Sequence, residues 1–367
     1  MFYYFLYPLK NHFSAFNLFQ YITFRSAMSA VTALLISFIV GPWIIRLLRR
    51  HQIGELIRED GPQTHLLKKG TPTMGGIIIL ISILGPMVLW GDLRNPYIVL
   101  TMISTIWMGA IGFLDDYLKV VKKIKKGLIA RYKMLGQISL GLIIGVYIYC
   151  SPHFEGVRTL ISVPFFRNLE IDLGYLYVPI VILVITFLTN AVNLTDGLDG
   201  LAAGLMGIVA LALAIISYVS GRVDFSDYLN TIYLRGSGEL TVYCLTFAGA
   251  MLGFLWYNAF PAQVFMGDTG SLGMGGALGT LAILLRKELL LGLLAGVFIA
   301  EGVSVVIQVT YFKYTKNKYG QGRRIFQMAP LHHHYEMKGW PESKIVIRFW
   351  IVGILLALIS LSSFKIL

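Results

Sequence analysis

Long apolar stretches separated by short polar loops recur along nearly the whole chain, near residues 25–48, 72–91, 96–114, 134–151, 177–195, 200–219, 240–257, 269–285, 289–312 and 345–366. Each approaches the roughly 20 residues needed to cross about 30 Å of hydrocarbon. Inside a bilayer every backbone polar group must be satisfied within the protein, which leaves helices or closed barrels. Runs this long and uniformly apolar, without alternation, predict helices. The expected fold is an all-α polytopic membrane protein of about ten transmembrane helices, folded as a single integral membrane domain over residues 1–367. Composition excludes the soluble alternative: 56% of residues are hydrophobic and 14% charged, against about a quarter charged in soluble domains.

Residues 1–24 are rich in Phe and Tyr and lack the basic start, apolar core and small-residue cleavage site of a signal peptide. They predict an interfacial segment leading into the first span. Aromatics near span ends, such as Trp43, Trp90, Tyr147, Trp256 and Trp350, suit interface anchors.

The net charge of +12 is a question of placement. Nineteen of the 31 basic residues fall in alternate loops, around 49–69, 119–133 and 313–344. The positive-inside rule puts those loops in the cytoplasm, and an even number of spans then puts both termini outside. The segment 313–344 is the longest polar stretch and is expected to fold as a cytoplasmic loop over the mouth of the bundle. No basic amphipathic helix or aromatic–basic platform stands apart from the spans, so a nucleic-acid partner is not expected. Cys150 and Cys244 have no metal-ligand spacing.

Polar motifs interrupt the ends of the spans. GFLDDYLKV carries Asp115 and Asp116. Consecutive helical residues point about 100° apart, so the two carboxylates should play different parts. The ordinary alternative is a solvated helix end balanced by Lys119 and Lys122. NAVNLTDGLDG places Asn190, Asn193, Asp196 and Asp199 beside hydrocarbon, where ionisable groups are functional candidates by default. WYNAFPAQVFMGDTGSLGMGGALG supplies Asn258 and Asp268 with six glycines. Those glycines leave amides open to phosphate or permit close helix packing, and Asp268 alone could be a plain N-cap. MAPLHHHYE lines up His332, His333 and His334, but consecutive histidines diverge and no further ligand completes a zinc site. KKGTPTMGG adds Lys68 and Thr73. All five clusters fall on the side that Lys and Arg define as cytoplasmic. Carboxylates, lysines and open amides together suit Mg2+ and phosphate oxygens, and predict a metal-dependent phosphoryl-transfer cleft on the cytoplasmic face.

GTPTMGG, GFLDDYLKV, NAVNLTDGLDG, PAQVFMGDTGSL and MAPLHHHYEMKGWPE, in order over essentially the whole chain, resemble the phospho-N-acetylmuramoyl-pentapeptide-transferase family. The wider polyprenyl-phosphate N-acetylhexosamine-1-phosphate transferase superfamily is similar through the paired aspartates and the aspartate-rich loop. The triple-His and PTMGG segments favour the muramoyl branch. The resemblance implies a Mg2+-dependent enzyme of the bacterial inner membrane. It would join UDP-N-acetylmuramoyl-pentapeptide to undecaprenyl phosphate, release UMP, and act as a homodimer in the lipid bilayer.

The same resemblance implies roles for residues. Asp268 matches the Mg2+ ligand. Asp115, with Asp116 beside it, matches the aspartate held to deprotonate the lipid phosphate, and His332 joins this catalytic set. Asn190, Asp196, Asp199 and Asn258 match the nucleotide-sugar region. Phe265 and Gly267 match the uracil site, and Lys68, Thr73 and His333 match polar groups lining the cleft. Lys119 and Lys123 would add electrostatic help. The segment 313–324 is longer than the family pattern leads one to expect. Three other classes stay in view: a sibling transferase using UDP-N-acetylglucosamine, a transporter and a scaffold. A transporter predicts mid-span charges and paired repeats, and neither is evident.

Overall fold

The computed structural model describes residues 2–51, 70–124, 127–166 and 169–365. The chain is an all-α membrane protein. Its helices are α1 (Phe2–Leu6), α2 (Ile22–Arg50), α3 (Gly76–Trp90), α4 (Pro96–Asp116), α5 (Ala130–Cys150), α6 (Tyr177–Thr195) and α7 (Leu201–Ser220). They continue with α8 (Val223–Tyr228), α9 (Leu240–Asn258), α10 (Gly267–Leu284), α11 (Glu288–Leu294), α12 (Gly296–Tyr319), α13 (Leu331–Met337) and α14 (Glu342–Ser362). A small hairpin of β1 (Leu160–Ser162) and β2 (Glu170–Asp172) pairs antiparallel with Ile161 opposite Ile171.

Eight helices (α2, α4, α5, α6, α7, α9, α12 and α14) are each long and apolar enough to cross a bilayer. The two other predicted spans are built differently. α3 has 15 residues, or about 22 Å at 1.5 Å per residue, short of the hydrocarbon thickness. α10 has 18 residues, six of them glycine, and every residue from Thr269 to Leu284 is buried. It meets protein on all sides and has no need of lipid-facing apolar bulk. A side chain on Gly76 would run into the Gly270 amide at 2.1 Å, one on Gly112 into the Asp268 carbonyl at 2.0 Å, and one on Gly275 into Thr189 Cα at 2.8 Å. Backbone contact with α3, α4 and α6 therefore fixes α10 as the central post of the bundle.

The missing length of α3 is made up by a strap. Phe265 N–H donates to Pro72 C=O, Gly75 N–H to Phe265 C=O and Gly76 N–H to Met266 C=O, each at 2.8 Å. The two segments that lead into α3 and α10 thus satisfy each other's backbone where neither helix extends. Irregular backbone at membrane depth is tolerated on that condition, and the strap recesses the start of α10 into the bundle.

Two sequence expectations change. The span expected at 289–312 is two helices, broken at Ala295 (φ −92, ψ 21). The buried Glu288 carboxylate accepts from the Tyr177 hydroxyl and pins the first turn of α11. A side chain on Gly296 would meet Leu356 at 2.9 Å, so the chain restarts on a new axis against α14. The segment 313–344 is also less loop-like than expected. α12 continues to Tyr319 and stops where Gly320 adopts φ +73, and the chain then folds back along α12. Gln308 Oε1 accepts from the amides of Ile325 (3.1 Å) and Phe326 (3.0 Å), and Thr315 Oγ1 from Arg323 N–H (2.9 Å). At the other extreme of the chain, Phe2, Phe19 and Phe24 pack around Trp90. The N-terminal aromatics therefore cap the far end of α3, away from the strap.

Candidate active site

The strap and the glycine contacts bring the end of α4 against the start of α10. One oxygen each from Asp115, Asp116 and Asp268 lies within 4.8 Å of the others. The adjacent aspartates of α4 take different partners, as their angular separation requires. Both Asp116 oxygens are spent on α10: Oδ1 accepts from Asp268 N–H (3.1 Å), and Oδ2 from Thr269 N–H (2.8 Å) and Thr269 Oγ1 (2.6 Å). An anion at the first turn answers free amides and the helix dipole. Gly267 makes this approach possible. It sits at φ +72, and a Cβ there would lie 2.7 Å from Asp116 Oδ2 and 3.0 Å from Thr73 Oγ1.

Asp115 turns instead toward cations. Its Oδ2 lies 2.5 Å from Lys119 Nζ and 2.7 Å from Lys133 Nζ, and its Oδ1 accepts from Leu128 N–H at 2.6 Å. The same two ammonium groups reach Asp268 Oδ2, at 3.2 Å from Lys119 and 2.5 Å from Lys133. Asp268 Oδ1 accepts from Asn193 Nδ2 at 2.8 Å, and Asn193 also donates to Ser271 Oγ. The side chains grade outward, with Asp115 at 0% exposure, Asp268 at 16%, Lys133 at 21% and Lys119 at 38%. Deep carboxylates fronted by lysines open the site to an anionic ligand. The acidic triad could also hold a metal ion. The donor set fits a hard divalent cation, with Asp115 and Asp268 the available ligands, because Asp116 is committed to α10.

Most of the other predicted residues take partners outside this cluster. Asp199 Oδ2 accepts from Ala262 N–H (2.9 Å), and the Asp199 amide donates to Glu342 Oε1 (2.7 Å). Asn258 ties Gly200 N–H to Val264 C=O, at 3.0 Å each. Thr73 and Phe265 belong to the strap. Asn190 lies one turn before Asn193 on α6 and donates to Gln137 Oε1 at 2.9 Å. Asp196 ends α6 and is partly exposed. His333 pairs with Glu336 at 2.6 Å, whereas His332 is fully buried with Glu301. Lys123 is exposed and takes φ +54, outside the carboxylate cluster. Lys68 lies outside the described residues. Sequence reasoning passed over Lys133, whose only signal was its membership of a basic loop. It also passed over Glu301, Glu342 and Gln137, whose partners are remote in sequence.

The sequence profile of glycosyl transferase family 4 matches residues 98–286. That stretch contains Asp115, Asp116, the aspartate-rich turn and Asp268. Residues 68–80, which include the Pro72–Gly76 side of the strap, match phospho-N-acetylmuramoyl-pentapeptide-transferase signature 1. Full-length relatives bear the name phospho-N-acetylmuramoyl-pentapeptide-transferase. The chain is 52% identical to that of Desulforapulum autotrophicum, with all of both chains covered. It is 50% identical to that of Thermodesulfovibrio yellowstonii, over all of this chain and 99% of the relative. It is 52% identical to that of Gemmatimonas aurantiaca, again over both full lengths. With half the chain in the profile and full-length identity near 50% to bacterial relatives, this chain belongs to the phospho-N-acetylmuramoyl-pentapeptide-transferase family.

Proposed function

We propose that this chain transfers phospho-N-acetylmuramoyl-pentapeptide from its UDP-activated donor to undecaprenyl phosphate, releasing UMP and forming the first lipid-linked peptidoglycan precursor. The observation that carries this is the recessed cluster of Asp115, Asp116 and Asp268 fronted by Lys119 and Lys133. It couples a carboxylate set suited to a cation with ammonium groups suited to phosphate. An apolar groove between α6 and α12, lined by Leu183, Phe187, Leu194 and Val306 with Asn190 at its edge, suits a polyprenyl tail. The chain's own Lys and Arg bias supports a cytoplasm-facing site with both termini outside, and the family resemblance supports a homodimer.

In the reaction, an oxygen of the lipid phosphate attacks the phosphorus that bears the sugar. The P–O bond to UMP breaks and UMP leaves with the bonding pair. Asp268, with Asp115, would hold Mg2+, which when bound neutralises the diphosphate and stabilises the leaving UMP. Lys119 and Lys133 sit where negative charge concentrates and need no reorganisation to meet it. Asp115 is the acceptor for a proton arriving on the lipid phosphate, and Asp116 fixes the Asp268 backbone. Asp196 and Asp199, with Asn190, Asn258, Phe265 and Gly267, frame the nucleotide-sugar, and Thr73 and His333 line its approach.

Purified protein incubated with undecaprenyl phosphate, Mg2+ and either UDP-N-acetylmuramoyl-pentapeptide or UDP-N-acetylglucosamine should release UMP with the first donor. UMP from the second alone would make it the sibling transferase, and none from either would remove the enzyme reading. A phospho-sugar adduct trapped on Asp115 without lipid acceptor would replace direct attack by a covalent path.

A further inference from the structure

We propose that Glu301 and His332 form a buried brace that positions the Asp196–Asp199 turn for the nucleotide-sugar donor; this rests on the donor site described above. Glu301 lies within α12, fully buried in a helix otherwise made for lipid. A carboxylate in such a place is retained only with a partner. Its partner is the first turn of α13. Oε1 accepts the His332 N–H at 3.1 Å, and Oε2 lies 3.2 Å from the same residue's ring Nδ1. One carboxylate thus bonds the backbone amide of His332 and lies beside the ring of the same residue.

α13 has seven residues and no side-chain cap of its own. A helix that short does not hold itself in place, so Glu301 fixes where it sits. The other edge of the imidazole reaches the aspartate-rich turn. A Cβ on Gly197 would lie 2.3 Å from His332 Nε2 and 3.0 Å from Cε1, so the ring packs directly on the Gly197 backbone. Gly197 follows Asp196, and two residues on Asp199 is fastened by Glu342 and Ala262. The turn is therefore held from both sides, by α14 and the strap at Asp199 and by α12 through His332 at Gly197. His332 is 0% exposed, whereas its neighbour His333 is 15% exposed with its ring centroid 4.1 Å away. A ring this deep acts through what it supports. His332 is a positioning residue in this arrangement, and Glu301 positions it in turn.

The test uses the full-length protein with Glu301→Ala, Glu301→Gln, His332→Ala and the double variant Glu301→Ala/His332→Ala. Kinetics are followed by UMP release with each substrate varied in turn. Displacing a donor-positioning turn by about 1 Å is expected to cost about 100-fold in kcat/KM for the UDP-donor in Glu301→Ala. The KM for the lipid acceptor should stay within about twofold, since neither Glu301 nor His332 lines the α6–α12 groove or bonds the carboxylate–lysine centre. Glu301→Gln keeps an acceptor for the His332 amide and should recover most of the donor KM. His332→Ala should reproduce the donor effect, and the double variant should lose no more than the worse single. The brace is overturned if Glu301→Ala leaves donor kcat/KM unchanged, if both KM values rise together, or if the two losses multiply. Should the wild type release no UMP, the functional reading fails separately. The brace is then decided by thermal unfolding of Glu301→Gln, His332→Ala and their combination: non-additive melting shifts support it and additive shifts sink it.

Discussion

α10 carries buried charge at both of its ends, and the two ends differ in one respect. At its start, Asp268 meets Asp115, Asp116, Lys119 and Lys133, and the lysines remain partly open to solvent. At its close, Arg286, Lys287 and Glu288 are all buried. There the Arg286 guanidinium donates to the Tyr177 hydroxyl and lies over the Phe154 ring. Lys287 Nζ donates to Ser162 Oγ (3.0 Å) and Thr231 Oγ1 (2.8 Å) under the β1–β2 hairpin. The two ends differ in exposure: Lys133 and Lys119 are 21% and 38% exposed, whereas Arg286 is fully buried and Lys287 and Glu288 nearly so. An exposed gradient of charge is what chemistry uses, whereas a buried set of ions can specify one packing arrangement without adding stability.

That contrast breaks most easily at Asp268. Asp268→Asn should lower kcat for UMP release by on the order of 1,000-fold, because it removes the charge shared by both lysines and by any bound cation. The protein should remain folded by thermal melting, since Asn still accepts from Asn193. Full activity in this variant would take Asp268 out of the reaction. Lys133→Met should cost about 100-fold, and Lys133→Arg should recover part of it, as a cation that reaches two carboxylates. Lys287→Met at the buried end should leave turnover within about twofold. A comparable loss there would erase the distinction between the two ends. Asp116→Asn should cost less than Asp268→Asn but should also lower the melting temperature. An amide group turned toward the α10 amides replaces an acceptor with a donor, leaving buried N–H groups unpaired.

Much of this arrangement was legible in the sequence. Eight spans announced themselves by length and hydropathy. α10 was visible as an apolar, glycine-rich stretch even though its glycines, which lower its hydropathy, are there for backbone contact. The break at Ala295 was not legible, because the close contact beside it pairs Gly296 with Leu356 of α14, far along the chain. Lys133 was hidden by its own company, since a basic loop is what a cytoplasmic segment shows in any case. Glu301 was a lone acid in an apolar run, a signal that says function without saying which partner. Only the fold supplies His332. The residues within a motif were thus readable from local pattern, and the residues that fasten one motif to another were not.

The smallest effect concerns stability at the buried end. Burial pushes the Glu288 carboxyl up from 4.5 to about 7, against the pull of Arg286, Tyr177 and Lys287. A carboxyl raised in the folded state binds its proton more tightly than it does unfolded. Its contribution to stability is complete below about 4.5 and is lost as pH rises through about 7. Lys287 titrates elsewhere: burial holds its amine down to about 8 from 10.5, with Glu288 and Glu170 opposing. Its contribution is present above 10.5 and lost as pH falls through 8, so from pH 5 to 7 it changes little. Over that window Glu288 should contribute a fall of a few degrees to the melting temperature of the detergent-solubilised protein. In Glu288→Gln, whose Oε1 can still accept from Tyr177, that part of the slope should vanish while UMP release stays unchanged. An undiminished slope would mean that Glu288 ionises freely, and that this end of α10 is as open as the other.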